Sequence, residues 1–255
     1  MISKNKIKFL KCLKQKKYRL KQKKAILEGR RLIDEAINAQ SNIENIWFTD
    51  KALKNHSNKL LIDKIQNYKI LFDEISIDDL DDISNTEHSQ GIIAEINISK
   101  YIESKLNHIK DDKLLILDGL SDPGNLGTIF RICAWYNIKS VILTSDCVDP
   151  FNLKCLRSGV GAHFYFNNII NSKRDILLEY LANQDYHVYC ADLKGSSLSD
   201  IDPPHKWAII FGSEAHGLNN DFAIFDKITI IKHGEIESLN ASVACGIIFD
   251  RLINK

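Results

Sequence analysis

Three short polar segments, far apart in the sequence, carry side chains suited to binding an anionic or nucleotide-like ligand. The first is LDGLSDPGNLGTIFR, in which Asn125 and Gly127 open a predicted helix that carries Arg131. Asparagine is a favoured helix N-cap, and the exposed N–H groups at a helix start attract anions. Arg131 follows nearly two turns after Asn125, so its long side chain can project toward the same crevice. Taken alone, the segment is better explained as a strand–turn–helix connection, and it lacks the GxGxxG pattern of a dinucleotide site.

The second segment, IIFGSEAHGL, places Gly212, Glu214 and His216 at the end of a predicted buried strand. Glycine lets the backbone approach a flat ligand such as adenine. A carboxylate or imidazole in such a loop is more often exposed and without a chemical role. His216 has no second His or Cys at metal-ligand spacing, so we expect no metal site.

The third segment, GEIESLNASVACGIIFD, joins a polar stretch with Ser238 and Asn240 to an apolar helix rich in small residues. Serine and asparagine ahead of an apolar run commonly cap the helix that follows. The small side chains allow this helix to pack closely against other parts of the chain. Each segment is weak evidence alone, but the three together, in this order, are specific.

The elements predicted around these segments form two α/β patterns. In the larger, C-terminal pattern, strand-like segments alternate with helices: LLILDGL, SVILTS, HFYFN, HVYCADL, WAIIFGS and ITIIK. Near-continuous apolar strands of this kind form a parallel sheet covered on both faces, and ligands bind at the carboxyl ends of its strands. The smaller pattern has the predicted strands KAILEG, IENIWFT, YKILF and QGIIAEINI, with helices at RRLIDEAINA and near 58–66. The acidic stretch 73–87 is predicted to be a solvated helix or loop.

Charge is distributed unevenly along the 255 residues, whose net charge is +1. Residues 1–31 contain thirteen Lys or Arg and one acidic residue, whereas the remainder contains 21 basic and 32 acidic residues. Within 5–20, Ile7, Leu10 and Leu13 have helical spacing, which predicts a basic amphipathic helix. A basic arm on a mildly acidic body indicates polyanion binding, with a solvated tail as the alternative.

The composition also bears on cellular location and on metal or disulfide chemistry. No run approaches the roughly 18 apolar residues that span a bilayer, and the N-terminus lacks an apolar signal segment. The six cysteines are scattered and form no CxxC pair. This pattern argues against a zinc site or a disulfide framework and favours a reducing cytoplasm. We therefore expect a cytoplasmic protein without membrane or metal partners.

Together the segments resemble the motifs of the SpoU/TrmH branch of the SPOUT RNA methyltransferases. The matching residues are Asp122-Pro123, Asn125, Gly127 and Arg131 in the first motif; Gly212-Ser213-Glu214, Gly217 and Leu218 in the second; and Gly234, Glu237-Ser238-Leu239-Asn240 and Ser242 in the third. DPFNLKCLRSGVGA also resembles a family segment between the first two motifs. Two departures are Ile230-Ile231-Lys232, where the family usually has Ile-Pro-Met, and Ser158-Gly159, where Ala-Ser is common.

The resemblance implies a fold and an assembly. The expected architecture is an α/β SPOUT domain with a parallel sheet and a deep C-terminal trefoil knot, preceded by a smaller ribosomal-protein-like α/β domain that binds RNA. The implied boundaries are a basic N-terminal helix or arm at 1–20, the substrate RNA-binding domain at 21–98, a linker at 99–112 and the methyltransferase domain at 113–255. The family also implies a homodimer.

The resemblance further implies a reaction: transfer of a methyl group from S-adenosylmethionine to a ribose 2′-hydroxyl in structured RNA, with large-subunit ribosomal RNA favoured by family analogy. Gly212, Ile230 and Leu239 would contact the donor. The reaction centre would comprise Asn125, Arg131, Glu214, Ser238 and Asn240, with Arg131 presented by one subunit to the donor held by the other.

Three other functions compete with this reaction. The first is a tRNA 2′-O-methyltransferase, and the second is a catalytically inactive RNA-binding or ribosome-assembly factor with the same fold. The third, a nucleotide-cofactor oxidoreductase, is disfavoured because the glycine fingerprint and its acidic ribose ligand are missing.

Overall fold

The computed structural model describes residues 2–84 and 90–254, which fall into two compact units. The first unit comprises the residues up to Ile102 together with Asp149–Phe164. The second comprises Glu103–Val148 and the residues from Tyr165 onward. The segment 149–164 thus belongs to the first unit although it lies between two strands of the second. The domain boundaries implied by the family resemblance do not coincide with these units and stay a prediction.

Helices and strands alternate along most of the chain. Up to Ile102 they are α1 (Lys4–Cys12), α2 (Lys16–Gln22), β1 (Lys24–Glu28), α3 (Arg30–Asn38), β2 (Ile43–Phe48), α4 (Asp50–Lys54), α5 (Lys59–Asn67), β3 (Phe72–Glu74), α6 (Ile77–Ile83), β4 (Ile92–Asn97) and α7 (Ser99–Ile102). From there they are β5 (Lys113–Leu117), α8 (Pro123–Trp135), β6 (Ser140–Thr144), α9 (Leu153–Gly159), β7 (Asn168–Ser172), α10 (Arg174–Ala182), β8 (His187–Ser197), β9 (Trp207–Phe211), β10 (Asp226–Thr229) and α11 (Ala241–Ile253).

The first unit is built on a four-stranded sheet of order β1-β4-β2-β3. Strand β4 is antiparallel to both β1 and β2, and β2 is parallel to β3. One buried cluster joins Ile26, Trp47 and Ile93 of the sheet to Leu10 of α1 and Leu80 of α6. The predicted strands KAILEG, IENIWFT and QGIIAEINI and both predicted helices of this pattern are therefore confirmed.

The basic N-terminal segment is part of this core. Ile7, Leu10 and Leu13 are buried, as their spacing predicts. The single helix predicted over 5–20 is wrong, because the chain forms two helices, α1 and α2, with a break between them. Leu20 is 45% exposed, and the buried side chain of α2 is that of Arg19.

Arg19 explains where the first helix ends. Its Nη1 donates to the carbonyl oxygens of Leu13 and Lys14, each at 2.7 Å, which satisfies acceptors at the end of α1. Its Nε donates to Asp149 Oδ2 at 2.8 Å, and its Nη2 pairs with the same carboxylate. Both partners are almost fully buried, so this ion pair connects α2 to the segment 149–164 inside the first unit.

Two predicted strands are wrong in position. YKILF is not a strand over its length: Tyr68 ends α5, Lys69 has a left-handed φ of 55°, and β3 begins only at Phe72. HFYFN is replaced by a short 3₁₀ turn, with β7 following it. The buried His163 ring in that turn donates from Nε2 to the Pro150 carbonyl at 2.8 Å, and burial lowers its pKa to about 4, so the ring stays neutral.

The second unit contains a six-stranded sheet of order β10-β8-β9-β5-β6-β7, parallel at every pairing. Alternate residues of β5 face opposite sides of the sheet, and Leu114 to Leu117 are all fully buried. On one face, Leu177 of α10 joins the buried cluster of the sheet. On the other face, the Phe249 ring of α11 lies 6.0 Å from Trp207 and 6.4 Å from Phe211. The predicted parallel sheet with both faces covered is confirmed.

Two further predictions concern the acidic stretch and the membrane. Residues 72–74 form β3 and residues 77–83 form α6, so the helix predicted in the acidic stretch is confirmed. The helix is not solvated all round, because Leu80 and Ile83 are fully buried. The end of that stretch, including Glu87, lies outside the described residues. Within the described ranges, no helix has the length and apolar character needed to cross a membrane.

Candidate active site

The three polar segments lie at one edge of the parallel sheet. The first follows β5, and the second follows β9, its hydrogen-bonded neighbour. The third leads directly into α11, which packs against α8. Because parallel strands end at the same edge, their carboxyl-terminal loops are neighbours in space.

Direct hydrogen bonds join the three segments. Asn125 Nδ2 donates to Glu214 Oε1 at 2.7 Å, across 89 positions of sequence. Asn240 Nδ2 donates to Asn125 Oδ1 at 2.9 Å, across 115 positions. Both ends of the Asn125 amide are thereby engaged, which fixes its orientation. Three of the five residues predicted for the reaction centre are thus in contact.

The prediction that Asn125 caps α8 is wrong. Asp122 occupies the cap, and its Oδ1 accepts a hydrogen bond from the Asn125 backbone N–H at 2.8 Å. Pro123 follows at the first helical position, where its fixed φ suits the helix and its missing N–H costs nothing. This arrangement directs the Asn125 side chain to Glu214 and Asn240 instead.

The prediction that Asn240 caps the last helix is confirmed. Its Oδ1 accepts hydrogen bonds from the Ser242 N–H at 2.9 Å and the Ser242 hydroxyl at 2.6 Å. The Asn240 oxygen therefore orders the start of α11, while the nitrogen of the same amide binds Asn125. Ser238 lies two residues earlier in an exposed loop and does not cap the helix.

Gly212 permits a close approach of two backbone segments of its own loop. A Cβ added at Gly212 would lie 2.3 Å from the carbonyl carbon of Gly217 and 2.4 Å from the Leu218 nitrogen. Ser213 and Gly217 exchange backbone hydrogen bonds of 3.0 and 2.8 Å, and Gly217 has a φ of 67°. Glycine is thus required because the loop folds onto its own strand end.

The residues predicted to contact the methyl donor lie in different surroundings. Ile230 lines a groove of about 400 Å³ together with Ile231, Ile247 and Arg251. Gly212 and Leu239 are not among the residues that line this groove. The whole of 231–240 is exposed, including Leu239.

Arg131 does not join the hydrogen-bonded centre of its own chain. It lies exposed on α8, four residues before Trp135, which is 84% exposed. Positions four apart share one helix face, so both side chains belong to one surface. Val243 and Ile247 of α11, the helix packed against α8, are 50% and 41% exposed. An exposed tryptophan four residues after the motif arginine is a signal that sequence reasoning missed.

Sequence reasoning also missed a buried carboxylate behind the centre. Asp118 follows β5 and is 2% exposed. Its Oδ1 accepts a hydrogen bond from Arg174 Nε at 2.6 Å, and its Oδ2 accepts one from the Asn219 N–H at 3.1 Å. Arg174 also pairs with Asp146. Burial alone would raise the pKa of Asp146, but hydrogen bonds from Thr144 and Arg174 outweigh it and lower the pKa.

The remaining side chains with possible chemistry near these loops are metal-ligand types and thiols. In the part of the chain that the structure describes, no group of three His, Cys, Asp or Glu residues is arranged to hold a metal ion. Cys133 of α8 and Cys245 of α11 are fully buried, and burial raises the pKa of both thiols. They remain protonated and act as small packing groups between the two helices.

Residues 112–250, more than half of the chain, match the family model described as the SpoU rRNA Methylase family. The chain belongs to the SpoU rRNA methylase family. Residues 4–94 match a second model, the MRM3-like substrate binding domain. The family resemblance carried by the three motifs is therefore confirmed.

Similar proteins include a named ribosomal RNA methyltransferase and solved structures. The 23S rRNA (guanosine(2553)-2′-O)-methyltransferase RlmP of Bacillus subtilis is 30% identical over 248 residues, 95% of this chain and 94% of that protein. A TrmH-family structure from Porphyromonas gingivalis is 28% identical, with a TM-score of 0.84, covering 100% of this chain and 99% of that chain.

A more distant structure and a group of longer relatives complete the comparison. An AdoMet-bound rRNA methyltransferase from Sinorhizobium meliloti, 23% identical with a TM-score of 0.83, shares the fold over 98% of this chain and 95% of that chain. The chain spans about half the length of the rRNA methyltransferase 3 proteins of human and mouse mitochondria that it matches.

Proposed function

We propose that this protein is a cytoplasmic enzyme that transfers a methyl group from S-adenosylmethionine to a ribose 2′-hydroxyl of large-subunit ribosomal RNA. The observation that carries the proposal is the hydrogen-bonded chain Glu214–Asn125–Asn240, which unites three motif loops in a member of the SpoU family. Ribosomal RNA and the ribose oxygen are favoured because RlmP, named for that reaction, is similar along almost the whole chain.

The loops present groups that suit S-adenosylmethionine. The tight turn at Gly212 and the exposed backbone of 231–240 offer N–H and C=O groups to an adenine and a ribose. The apolar side chains of Ile230 and Leu239 offer contacts for the faces of the adenine ring. These three residues would hold the donor, which supplies an electrophilic methyl group on its sulfonium.

The protein's own residues would align the ribose with the methyl donor and supply a positive charge beside the reacting hydroxyl. In-line attack by a hydroxyl requires two reactants held at fixed distance and angle, which can lower the barrier by roughly 7–11 kcal/mol. Asn125, with its amide orientation fixed by Glu214 and Asn240, would orient the ribose. The exposed Ser238 hydroxyl would donate to the same nucleotide. Arginine stays protonated in proteins, so Arg131 would hold the adjacent phosphate and lower the pKa of the 2′-hydroxyl, whose proton leaves to phosphate or water.

A homodimer through α8 and α11 is part of the proposal. Trp135, Val243 and Ile247 form an exposed apolar surface on two adjacent helices, and such surfaces are typical of subunit contacts. Arg131 shares this surface. A partner subunit packed there would receive Arg131 at its own reaction centre.

We predict that Trp135→Glu converts the protein to a monomer and removes most methyl transfer. A carboxylate placed in an apolar contact loses solvation without gaining a partner. Sedimentation velocity would report the mass, and labelled-donor assays the activity. Ile224→Glu is the matched control, because Ile224 is 78% exposed but lies outside α8 and α11. A Trp135→Glu protein that remains dimeric would contradict the placement of the interface.

The trefoil knot also belongs to the proposal. The chain leaves β10 at the edge of the sheet, passes through 230–240 and returns as α11 over β9 near the middle of the sheet. This return path and the match to the family support a threaded C-terminus. The small residues Ala244, Cys245 and Gly246 would let α11 pass close to the surrounding loops.

The first unit would bind the substrate RNA through its basic helices. Lys4, Lys8, Lys16, Lys17 and Lys21 are exposed on α1 and α2. Other basic residues are engaged internally: Lys6 pairs with Glu95, and Lys11 pairs with Asp82. Deleting the whole segment would remove buried core residues, so charge substitution is the cleaner test.

We predict that Lys16→Ala/Lys17→Ala weakens RNA binding, because it removes two side chains that would each bind a phosphate. Each contact to single-stranded RNA contributes about 0.7 to the slope of log affinity against log salt, so the slope should fall by about 1.4. Filter binding across a salt series would measure it. Lys51→Ala/Lys59→Ala removes the same charge from exposed positions elsewhere in the unit and should leave the slope unchanged. Equal slopes for the wild type and both variants would indicate that the basic N-terminal segment is only a solvated tail and does not bind RNA.

The activity is tested with RNA from a strain that lacks the gene. Total RNA is incubated with the protein and labelled S-adenosylmethionine, and ribose methylation is mapped at nucleotide resolution. We expect one 2′-O-methylated nucleotide in large-subunit ribosomal RNA. Label confined to transfer RNA would support the tRNA alternative, and RNA binding without methyl transfer would support the inactive factor.

A further inference from the structure

A second groove, of about 560 Å³, opens at the carboxyl ends of β6 and β7. Two lysines, Lys105 and Lys173, line it together with hydroxyl and amide side chains and an aliphatic wall that includes Ile176. Both lysines are exposed. Ser145 Oγ donates to the Ser172 carbonyl at 3.3 Å, which links the two strand ends beneath the groove.

The groove lies on the same sheet edge as the reaction centre. In the strand order β9-β5-β6-β7, the centre lies at the ends of β9 and β5, and the groove lies at the next two strands. Neighbouring strands are about 4.8 Å apart, so the ends of β6 and β7 lie roughly 5–10 Å from that of β5 along this edge. This separation corresponds to a few nucleotides of a polynucleotide strand, at about 3.4 Å per base.

A partly buried ion pair connects the groove to the centre. Lys173 of the groove directly precedes Arg174, whose guanidinium binds Asp118 at the end of β5. Asp118 also accepts a hydrogen bond from the backbone of Asn219, just after the second motif. The position of Lys173 is therefore tied to the loops that form the reaction centre.

Among the described residues, the side chains of Lys105 and Lys173 form no ion pair, so both ammonium groups can bind an anion. Arg174 is paired with both Asp118 and Asp146, so its own charge is offset and one net negative charge remains beside Lys173. Two further carboxylates are close in sequence: Glu103, two residues before Lys105, and Asp175, whose Oδ1 accepts a hydrogen bond from the Ile176 N–H.

We propose that this groove binds a phosphate-bearing nucleotide of the substrate RNA, a few positions from the nucleotide that is methylated. The proposal rests on the proposed function, since it assigns a second RNA contact to the same enzyme. Lys105 and Lys173 hold the phosphate, the hydroxyl and amide groups contact the ribose and base edges, and Ile176 packs against the base. The groove thereby sets which position of the strand reaches the reaction centre.

The test is the full-length Lys105→Ala/Lys173→Ala variant. We expect its affinity for substrate RNA to fall roughly 10- to 30-fold at 0.1 M salt, with the salt slope reduced by about 1.4. KM for RNA should rise accordingly, while kcat at saturating RNA and the affinity for S-adenosylmethionine stay unchanged. The matched control is Lys110→Ala/Lys139→Ala, which removes two lysines just before β5 and β6, at the opposite edge of the sheet.

The outcomes separate the groove from the proposed function. If the wild type methylates RNA and the groove variant matches it in affinity, slope and KM, the groove proposal is overturned and the proposed function stands. An equal loss in the control variant also overturns it, because the effect is then one of overall charge. If the wild type binds RNA but transfers no methyl group, the proposed function fails. The salt dependence of RNA affinity in the wild type and the groove variant then still shows whether the groove binds RNA. A wild type that binds no RNA overturns both.

Discussion

Arg131→Ala is expected to slow methyl transfer by about 10²- to 10³-fold, the usual cost of removing one group that stabilises developing charge. The donor affinity and the fold should be unchanged, because Arg131 is exposed and, among the described residues, makes no ion pair within its own chain. Single-turnover assays at saturating RNA measure the effect on the chemical step. Arg131→Lys should recover only part of the rate, since lysine keeps the charge but not the planar fork that binds phosphate.

Mixed dimers test whether Arg131 acts across the interface. A dimer of one Arg131→Ala chain and one Glu214→Ala chain keeps one complete centre if the arginine comes from the partner subunit. We therefore expect about half of the wild-type activity from such dimers, purified with two different tags. Inactive mixed dimers would show that Arg131 serves its own chain. Near-native transfer by Arg131→Ala itself would remove its proposed role.

Arg19→Ala is expected to destabilise the first unit by about 3–5 kcal/mol, because it leaves the buried Asp149 carboxylate without its charged partner. It also removes the donors to the carbonyls of Leu13 and Lys14. Urea unfolding of the full chain with Trp135 and Trp207 replaced by phenylalanine, so that the fluorescence comes from Trp47 in the core of this unit, measures the change.

Two controls separate the effect of pairing from the effect of packing. Lys17→Ala removes an exposed charge from the same helix and should change stability by less than about 0.5 kcal/mol. Arg19→Met/Asp149→Leu replaces both buried charges with apolar groups and should recover most of the stability. A stable Arg19→Ala protein would mean that the ion pair does not hold the segment 149–164 in place.

The convergence of the three loops could be predicted from the sequence, because alternating apolar strands and helices form a parallel sheet whose carboxyl ends share an edge. The residue that caps the helix of the first loop could not be predicted in this way. Asn125 and Asp122 are both good caps, and the outcome depends on Pro123 at the first helical position and on Glu214, 89 residues away. Local preference alone does not choose between two suitable caps.

The other wrong sequence predictions also arise from contacts between residues that are distant in the sequence. The break between α1 and α2 depends on Arg19 binding Asp149, 130 residues later, which no local pattern reveals. HFYFN has the composition of a strand, yet His163 is buried and bound to Pro150 within the first unit. Strand propensity describes a half-buried pleated surface, and this aromatic segment meets a different environment.

The most direct test of the proposed site is a crystal structure of the protein with S-adenosylmethionine. We predict one donor per chain, with its adenine against Gly212, Ile230 and Leu239 and its methyl group directed toward Asn125 and toward Arg131 of the partner subunit. A donor bound away from these three loops, or no binding at concentrations that saturate methyl transfer, would contradict it.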